Sequence, residues 1–431
     1  MMRYCYRLFF IVLFGMPFCS VAEESLPHRS YQDLLDNPPV AGEGFTSEFW
    51  GEKITVPVIN RRSINAWVAG AALNVPAPSS RKIEPVAALY FWRRPDDSKI
   101  FYADVSLLYN SLFFAKTFQE SDHFEWVVTF ENFTVPLAQN EIIDGRNDED
   151  QELIWGYVRP GFGVGYRTNV APFHKDNMFA VDWTVEPGYL YFADSNTGAG
   201  FRDPQDTIEL RTKLQIRMDA MTRNILSLSS HGFVAGADAL YGHRFNWERW
   251  GINGNNAASE GRNYASMTGY ATVVGNLPFL SKRHTVIGSL HAGFGHQIDR
   301  FNHTPTSRLY GGINPVAEEY HTGYLPTLPG AAMLEFFPKR YAIAYTEYRY
   351  AATFFSFVHA YAGAAYLNAR RQHNAGFRRA ETVMPFIGAR LTTGFLGDTR
   401  LVLDAAHNFG VKRKNNGYGG TQVVLSVSGA F

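Results

Sequence analysis

The sequence predicts an all-β fold, a transmembrane antiparallel β-barrel of about 16 strands. Three observations predict it. Hydropathy alternates with period two over segments of about 10 to 17 residues, longer than the five or six usual in soluble strands. The apolar faces of these segments end repeatedly in Trp, Tyr or Phe, as an aromatic girdle at a bilayer interface does. Beyond the N-terminal leader no window approaches 18 uncharged apolar residues, which excludes helical spans. A chain that is 46% hydrophobic has a mean hydropathy of only −0.19 because half of each strand is polar.

The leader comes first. Arg3 and Arg7 precede the apolar run from Leu8 to Phe14, and Ser20-Val21-Ala22 offers small residues to a signal peptidase. Residues 1–22 therefore read as a secretory signal cleaved after Ala22. Pro17 and Glu23-Glu24 cut the run too short for an anchor, and bulky Phe18 before Cys19 argues against a lipoprotein site. Residues 23–52 follow as a short periplasmic segment, and 53–431 form the outer-membrane barrel. Both cysteines, Cys5 and Cys19, leave with the leader, so disulfide scaffolds, thiol nucleophiles and cysteine-ligated metals are excluded. With 40 basic against 40 acidic residues there is no field for a phosphate backbone, and no nucleic-acid partner is expected.

Candidate strands lie at 53–59, 63–74, 82–93, 99–116, 122–135, 152–168, 177–194, 207–219, 231–245, 264–277, 284–297, 341–353, 356–369, 381–396, 398–409 and 420–431. The clearest is TIELRTKLQIRM. Its Ile208, Leu210, Leu214, Ile216 and Met218 share one face, and Glu209, Arg211, Lys213, Gln215 and Arg217 the other. In the same way Phe124, Trp126, Val128 and Phe130 oppose Glu125, Thr129 and Glu131. Val181, Trp183, Val185 and Tyr189 oppose Asp182, Thr184 and Glu186, and Val158, Phe162 and Val164 oppose Arg159, Gly161, Gly163 and Gly165. In the closing segment Val423, Leu425, Val427, Gly429 and Phe431 share a face, and a last strand ending on Phe reads as an assembly signal for the outer-membrane barrel assembly machinery.

Loop lengths give a second test. Connections leaving odd-numbered strands are long (136–151, 195–206, 246–263, 298–340), and those leaving even-numbered strands are short, with 220–230 the main exception. Long loops thus share one rim and both termini the other. A connection as long as 298–340 is uncommon unless functional, and a wide lumen offers it a place.

That loop carries Arg308-Leu309-Tyr310-Gly311-Gly312, then Val316 and Tyr320, and leads to strands with Glu347-Tyr348-Arg349 and Ala362-Gly363. The pattern resembles the distal barrel of the bacterial surface antigen superfamily, which holds outer-membrane protein assembly factors and two-partner secretion transporters. The resemblance is firmest over 264–431 and implies a 16-stranded barrel with the loop folded into the lumen. It implies a barrel-only member, since 23–52 is too short for a periplasmic transport-associated domain. The sequence also departs from the family. Where the family has Val-Arg-Gly and an aromatic, this chain has Val316-Ala317-Glu318-Glu319-Tyr320, and the family's Asp on strand thirteen is replaced by Tyr361.

Glu209, Arg211, Lys213, Arg217, Glu347, Arg349, Arg390 and Asp404 fall on inner faces, where they set ion selectivity, grip an inserted loop or form a ladder that fixes the barrel's shape. Gly311, Gly312, Val316, Glu318, Glu319 and Tyr320 are the candidate lumen loop. For catalysis there is little: His28-Arg29-Ser30 lies in the tail, and His291 and His296 face opposite ways on one strand. The acidic run 144–150 reads as a solvated loop tip, without the glycine of a calcium loop. No cofactor or metal is expected. The expected role is transport, protein assembly or surface anchoring at the bacterial outer membrane. Partners are outer-membrane lipids, lipopolysaccharide, the assembly machinery and an unknown periplasmic or surface protein. The rivals are a general diffusion porin and an outer-membrane lipid hydrolase.

Overall fold

In the computed structural model residues 26–78, 82–106, 109–134, 139–172, 177–193, 200–252, 261–302, 327–333, 335–373, 376–395, 399–413 and 417–430 are described. Residues 1–22, read above as a leader, Gly311 to Tyr320 of the long loop and Phe431 lie outside them.

A single antiparallel ladder closes on itself. Its members are β3 (Ser63–Val75), β4 (Ile83–Arg93), β5 (Lys99–Ser106), β6 (Tyr109–Thr117), β7 (Phe124–Thr134), β9 (Arg146–Asn169), β10 (Met178–Ala193) and β12 (Thr207–Arg223). They continue as β13 (Ser229–Arg244), β15 (Asn263–Asn276), β16 (His284–His296), β17 (Arg340–Thr353), β18 (Ser356–His373), β19 (Gly376–Phe395), β20 (Thr399–Arg413) and β21 (Gly417–Ala430). These make one closed barrel of 16 strands. The seam is fully paired from Thr421 opposite Val75 to Ala430 opposite Ala66, so no edge is left open to lipid.

The period-two reading fixes the two faces. Phe162 and Val383 on the outer wall are each 63% exposed and Ile208 is 60%, whereas their inward neighbours Gly161, Met384 and Glu209 are buried. Large apolar side chains turned outward in such a belt suit a hydrocarbon surround. On the inner face several strands pair a tyrosine directly with a glycine. Tyr361 faces Gly388 and Tyr264 faces Gly242, and a methyl group on either glycine would lie 2.2 Å from the ring. Glycine there is a socket for the ring, a device that pins register.

The strand count is met by two departures that cancel. Residues 53–59, expected as the first barrel strand, lie outside the ladder. Lys53 to Val56 belong to a hairpin of β1 (Phe45–Phe49) and β2 (Glu52–Val56) turned at Trp50-Gly51, both with positive φ, and 57–59 follow it without strand structure. Five residues are too few to cross a bilayer, which takes about 9 to 11. The barrel therefore starts at Ser63. In compensation 99–116, read as one strand, is two: β5 and β6 meet at a turn in which Ser106 Oγ donates to the Tyr109 carbonyl at 2.6 Å and Asn110 Oδ1 accepts from Ser106 N at 3.1 Å. From β7 onward the strand numbering, and with it the loop parity, is as read. The exception at 220–230 shrinks to 224–228 because β12 and β13 both extend toward the rim. The loop expected at 136–151 is largely strand, with β8 (Gln139–Ile143) pairing back on β9 beyond the barrel wall. Two loops of that rim meet as β11 (Phe201–Arg202) and β14 (Gly251–Ile252).

On the opposite rim, helix α1 (Tyr31–Asp36), capped by Ser30 Oγ on Asp33 N, packs Leu34 with Phe45 and Phe354. Arg29 and Asn37 hold the Asp33 carboxyl below its usual range.

Candidate functional site in the barrel lumen

The inner wall divides by chemistry. Along β7, β9, β10, β12 and β13 it is charged. Glu209 accepts from Arg159 Nε at 2.5 Å and from the Tyr264 hydroxyl at 2.9 Å, and lies 3.4 Å from Arg244. Arg244 reaches on to Asp299 at 2.6 Å and stacks over Trp247 at 4.3 Å. Arg211 pairs with Glu186 at 2.8 Å and Glu131 at 3.6 Å, and Lys213 with Glu131 at 3.3 Å. Closer to the short-loop rim, Arg217 meets Asp238 at 3.2 Å and Arg167 meets Glu125 at 2.7 Å. Strands of this wall supply opposite charges to one another, some across one or two intervening strands, as Arg159 of β9 to Glu209 of β12 and Lys213 of β12 to Glu131 of β7, so these buried charges are compensated locally.

A second network lies on β17 to β20. Glu347 accepts from His359 at 2.7 Å and pairs with Arg390 at 3.5 Å. Arg390 Nε donates to Asp404 at 3.2 Å, and the Tyr361 hydroxyl donates to the same carboxylate at 2.9 Å. Tyr361, where the family pattern has Asp, thus meets a carboxylate two strands away. Arg349 turns elsewhere and hydrogen-bonds the Ser229 carbonyl at the rim.

Above this network the wall of β17 to β20 is apolar, and the long connection covers it. Leu328, Ala331 and Phe336 are buried against Tyr341, Ile343, Leu367, Met384 and Phe386. Polar contacts fasten the same segment. Asn408 Nδ2 donates to the Pro329 carbonyl at 3.1 Å, and Arg413 bonds the Gly330 carbonyl at 3.1 Å and the Glu335 carboxylate. Glu335 accepts from Ala332 N at 2.7 Å. Across the seam Met333 N donates to Glu84 of β4 at 3.0 Å. Gly330 has φ +81° and sits against the Gly420 carbonyl, 2.6 Å from where a side chain would begin, so only glycine fits. Leu328, Ala331 and Phe336 are therefore on the lumen side of the wall, while Lys339 already joins the ladder through Asn368 and Gly295; the candidates Gly311, Gly312, Val316, Glu318, Glu319 and Tyr320 lie outside the described residues.

Both mouths are crossed. At the short-loop rim the turn 224–228 leaves β12 and reaches β20, seven strands round the ring, where Arg400 donates to the Leu226 carbonyl at 3.1 Å. Arg61, before β3, donates to Ser227 Oγ at 2.9 Å. The N-terminal segment lies beneath, with Ala41 N bonded to the Arg223 carbonyl at 2.9 Å. At the other rim the tip of the β8–β9 hairpin spans to β18, where Asp144 meets Arg371 at 2.7 Å. Phe301, Trp155, Trp247 and Trp250 cluster below it.

Of the inner residues singled out in the sequence, the structure gathers Glu209, Arg211 and Lys213 in one network and Glu347, Arg390 and Asp404 in the other. Arg217 lies deeper and Arg349 at the rim. Glu131, Arg159 and Glu186 were legible as inward but not as the partners of Glu209 and Arg211. His359 and Arg244 went unremarked. Val423, Leu425, Val427 and Gly429 lie on the outer face of β21; Phe431 is outside the described residues. Among the described residues one Ser–His pair occurs on the inner wall, Ser289 Oγ to His291 Nε2 at 3.3 Å, and there His291 Nδ1 has no hydrogen-bond partner. Among the described residues no group of three or more His, Cys, Asp or Glu side chains has metal-holding geometry.

No family model and no curated protein matches the chain. Among solved structures it is similar to BamA from Haemophilus ducreyi lacking POTRA domains 1–3, with 8% identity and a TM-score of 0.47 over 93% of this chain and 76% of that one. It is also similar to CdiB from Acinetobacter baumannii (11%, TM-score 0.44, 91% and 64%) and CdiB from Escherichia coli (10%, TM-score 0.44, 93% and 69%). The barrel assignment itself rests on the chain's own ladder.

Proposed function

We propose that the protein is a bacterial outer-membrane barrel of surface-antigen type that acts in transport, protein assembly or surface anchoring, without catalysis. It works through a lumen that is obstructed at rest. The observation that carries this reading is the segment 327–336, seated on an apolar inner wall and fastened by Arg413, Asn408 and Glu84. Steady diffusion needs an unobstructed path, and this segment and the turn 224–228 stand against one. A hydrolase needs a Ser–His pair oriented by a third group at a reachable rim, whereas Ser289 and His291 are buried on the inner wall without a carboxylate on Nδ1. The charged networks serve as the ladder that holds the wall's shape, and the outer face of β21 as the assembly signal.

The test is electrical. In planar bilayers the wild-type protein is expected to be silent with rare large openings. Arg413→Ala, which loosens the segment, raises the open fraction at least tenfold while the barrel keeps its heat-modifiable migration. A large steady wild-type conductance unchanged by Arg413→Ala would put the porin reading ahead.

A further inference from the structure

At the short-loop mouth the N-terminal segment does not sit flush on the barrel. Between it and the rim ends of β13, β15, β16, β17 and β18 lies a cavity of about 280 Å³, room for a small ligand. Its two sides differ in chemistry. Leu34 and Leu35 of α1, with Phe354 of the β17–β18 turn and Phe357 of β18, make one side apolar. Lys282, Arg283 and His231, together with Arg349, make the other cationic, and none of the lining residues is Asp or Glu.

The β15–β16 connection explains how two successive cations reach one cavity. Leu280 N bonds the Leu277 carbonyl at 3.3 Å and His284 N the Ser281 carbonyl at 3.1 Å. These turns break the alternation that would set Lys282 and Arg283 on opposite faces. Arg283 is held by neutral groups: its Nε donates to the Ala351 carbonyl at 2.9 Å and its Nη2 to the Ala352 carbonyl at 3.1 Å, and it stacks over Tyr350 at 4.8 Å. Those contacts fix the guanidinium without neutralising it. Lys282 Nζ donates to Asn37 Oδ1 at 3.2 Å, which uses one of its three N–H donors. Among the described residues neither cation has a carboxylate partner. Arg349 is engaged, by the Ser229 carbonyl among others, and adds charge alone. The acidic residues nearest in the chain are spoken for, Asp36 by Gln32 at 3.1 Å and Glu347 by His359 and Arg390. A concave, partly apolar setting strengthens the field of such cations. An ammonium and an oriented guanidinium side by side bind an oxyanion by charge-assisted hydrogen bonds, and the leucines and phenylalanines favour a hydrocarbon chain over water.

We propose that this cavity binds a small amphipathic acid, its carboxylate or phosphate head held by Lys282 and Arg283 and its short hydrocarbon tail laid against Leu34, Leu35, Phe354 and Phe357. Because α1 forms one wall, the bound ligand would tie the N-terminal segment to the rim and hold that mouth closed by mass action. Such a site goes beyond the transport reading above and stands or falls independently of whether the lumen conducts.

The experiment uses the full-length protein in phosphatidylcholine nanodiscs, with hexyl phosphate, hexanoate, hexanol, hexylammonium and inorganic phosphate as probes in titration calorimetry. At least one of the two amphipathic acids should bind at least tenfold more tightly than hexanol, hexylammonium or inorganic phosphate, and added salt should weaken it. Binding of either acid supports the proposal, and the tighter of the two identifies the head group. That acid should also slow limited proteolysis within 26–44. Lys282→Gln/Arg283→Gln should weaken its binding at least tenfold, while Lys53→Gln, on the β1–β2 hairpin outside the cavity, keeps it. Heat-modifiable migration of each variant shows that the barrel is folded. Binding of neither acid, hexanol binding as tightly as the acids, or undiminished binding in a folded double variant overturns the proposal. Inorganic phosphate binding as tightly as hexyl phosphate also overturns it, since the apolar side would then take no part.

Discussion

Two parts of the inner wall solve burial in opposite ways. Between β7 and β13 the wall is charged and largely satisfies itself, with Glu209, Glu186 and Glu131 each meeting a guanidinium or ammonium group from another strand of the same wall. Over β17 to β20, above the Glu347 network, it is apolar and is satisfied by something else, the segment 327–336. The difference teaches where a plug is to be sought. Inward positions that are charged tolerate a wet lumen, whereas inward Leu367, Met384 and Phe386 would face water unless a part of the chain came to cover them.

The comparison can be broken from either side. The largest effect is expected at Glu209→Gln, which leaves Arg159 and part of Arg244 buried without their carboxylate and costs about 3 to 5 kcal/mol. Urea equilibrium folding into lipid vesicles reads it, and the exposure of 327–339 to protease should not change. Met384→Ala opens a hole under the segment and costs about 2 to 5 kcal/mol in the same assay. Here limited proteolysis within 327–339 should speed up, which is the sign that cover and wall have come apart. If Glu209→Gln releases the segment as much as Met384→Ala does, the two halves are not independent. On the outer wall Leu214→Arg should cost about 2 to 4 kcal/mol near mid-membrane, and Lys213→Leu, one residue away and inward, far less. Equal tolerance of both would reverse the face assignment.

Much of this was legible. A side-chain period of two tells inward from outward without any structure, so Glu209 and Leu210 are sorted by their neighbours alone. Loop parity found both rims. The sequence failed where local signals conflict with the ladder: 99–116, read as one strand, hides a turn held by Ser106 and Asn110, and 53–59 alternates like a barrel strand, whereas Glu52–Val56 is one five-residue strand of a hairpin packed beside α1. Partners within the site were hidden for a different reason. That Arg159 meets Glu209 depends on register between strands 50 positions apart in the chain, and a single sequence does not carry register. Asn408, Arg413 and Glu84, which fasten the segment, give no local sign at all, since each binds a backbone or side chain brought to it only by closure of the ring.

The central claim is that 327–336 obstructs the lumen, and cross-linking tests it most directly. Both native cysteines, Cys5 and Cys19, lie in the first 19 residues, so Met333→Cys/Glu84→Cys supplies the only thiol pair beyond them. Before treatment, planar bilayers should show frequent large openings, because the bond between Met333 N and Glu84 is gone. After a short bis-maleimide joins the two positions the openings should cease. A conductance that the cross-link leaves unchanged would mean that the segment lies out of the conduction path, contradicting the account.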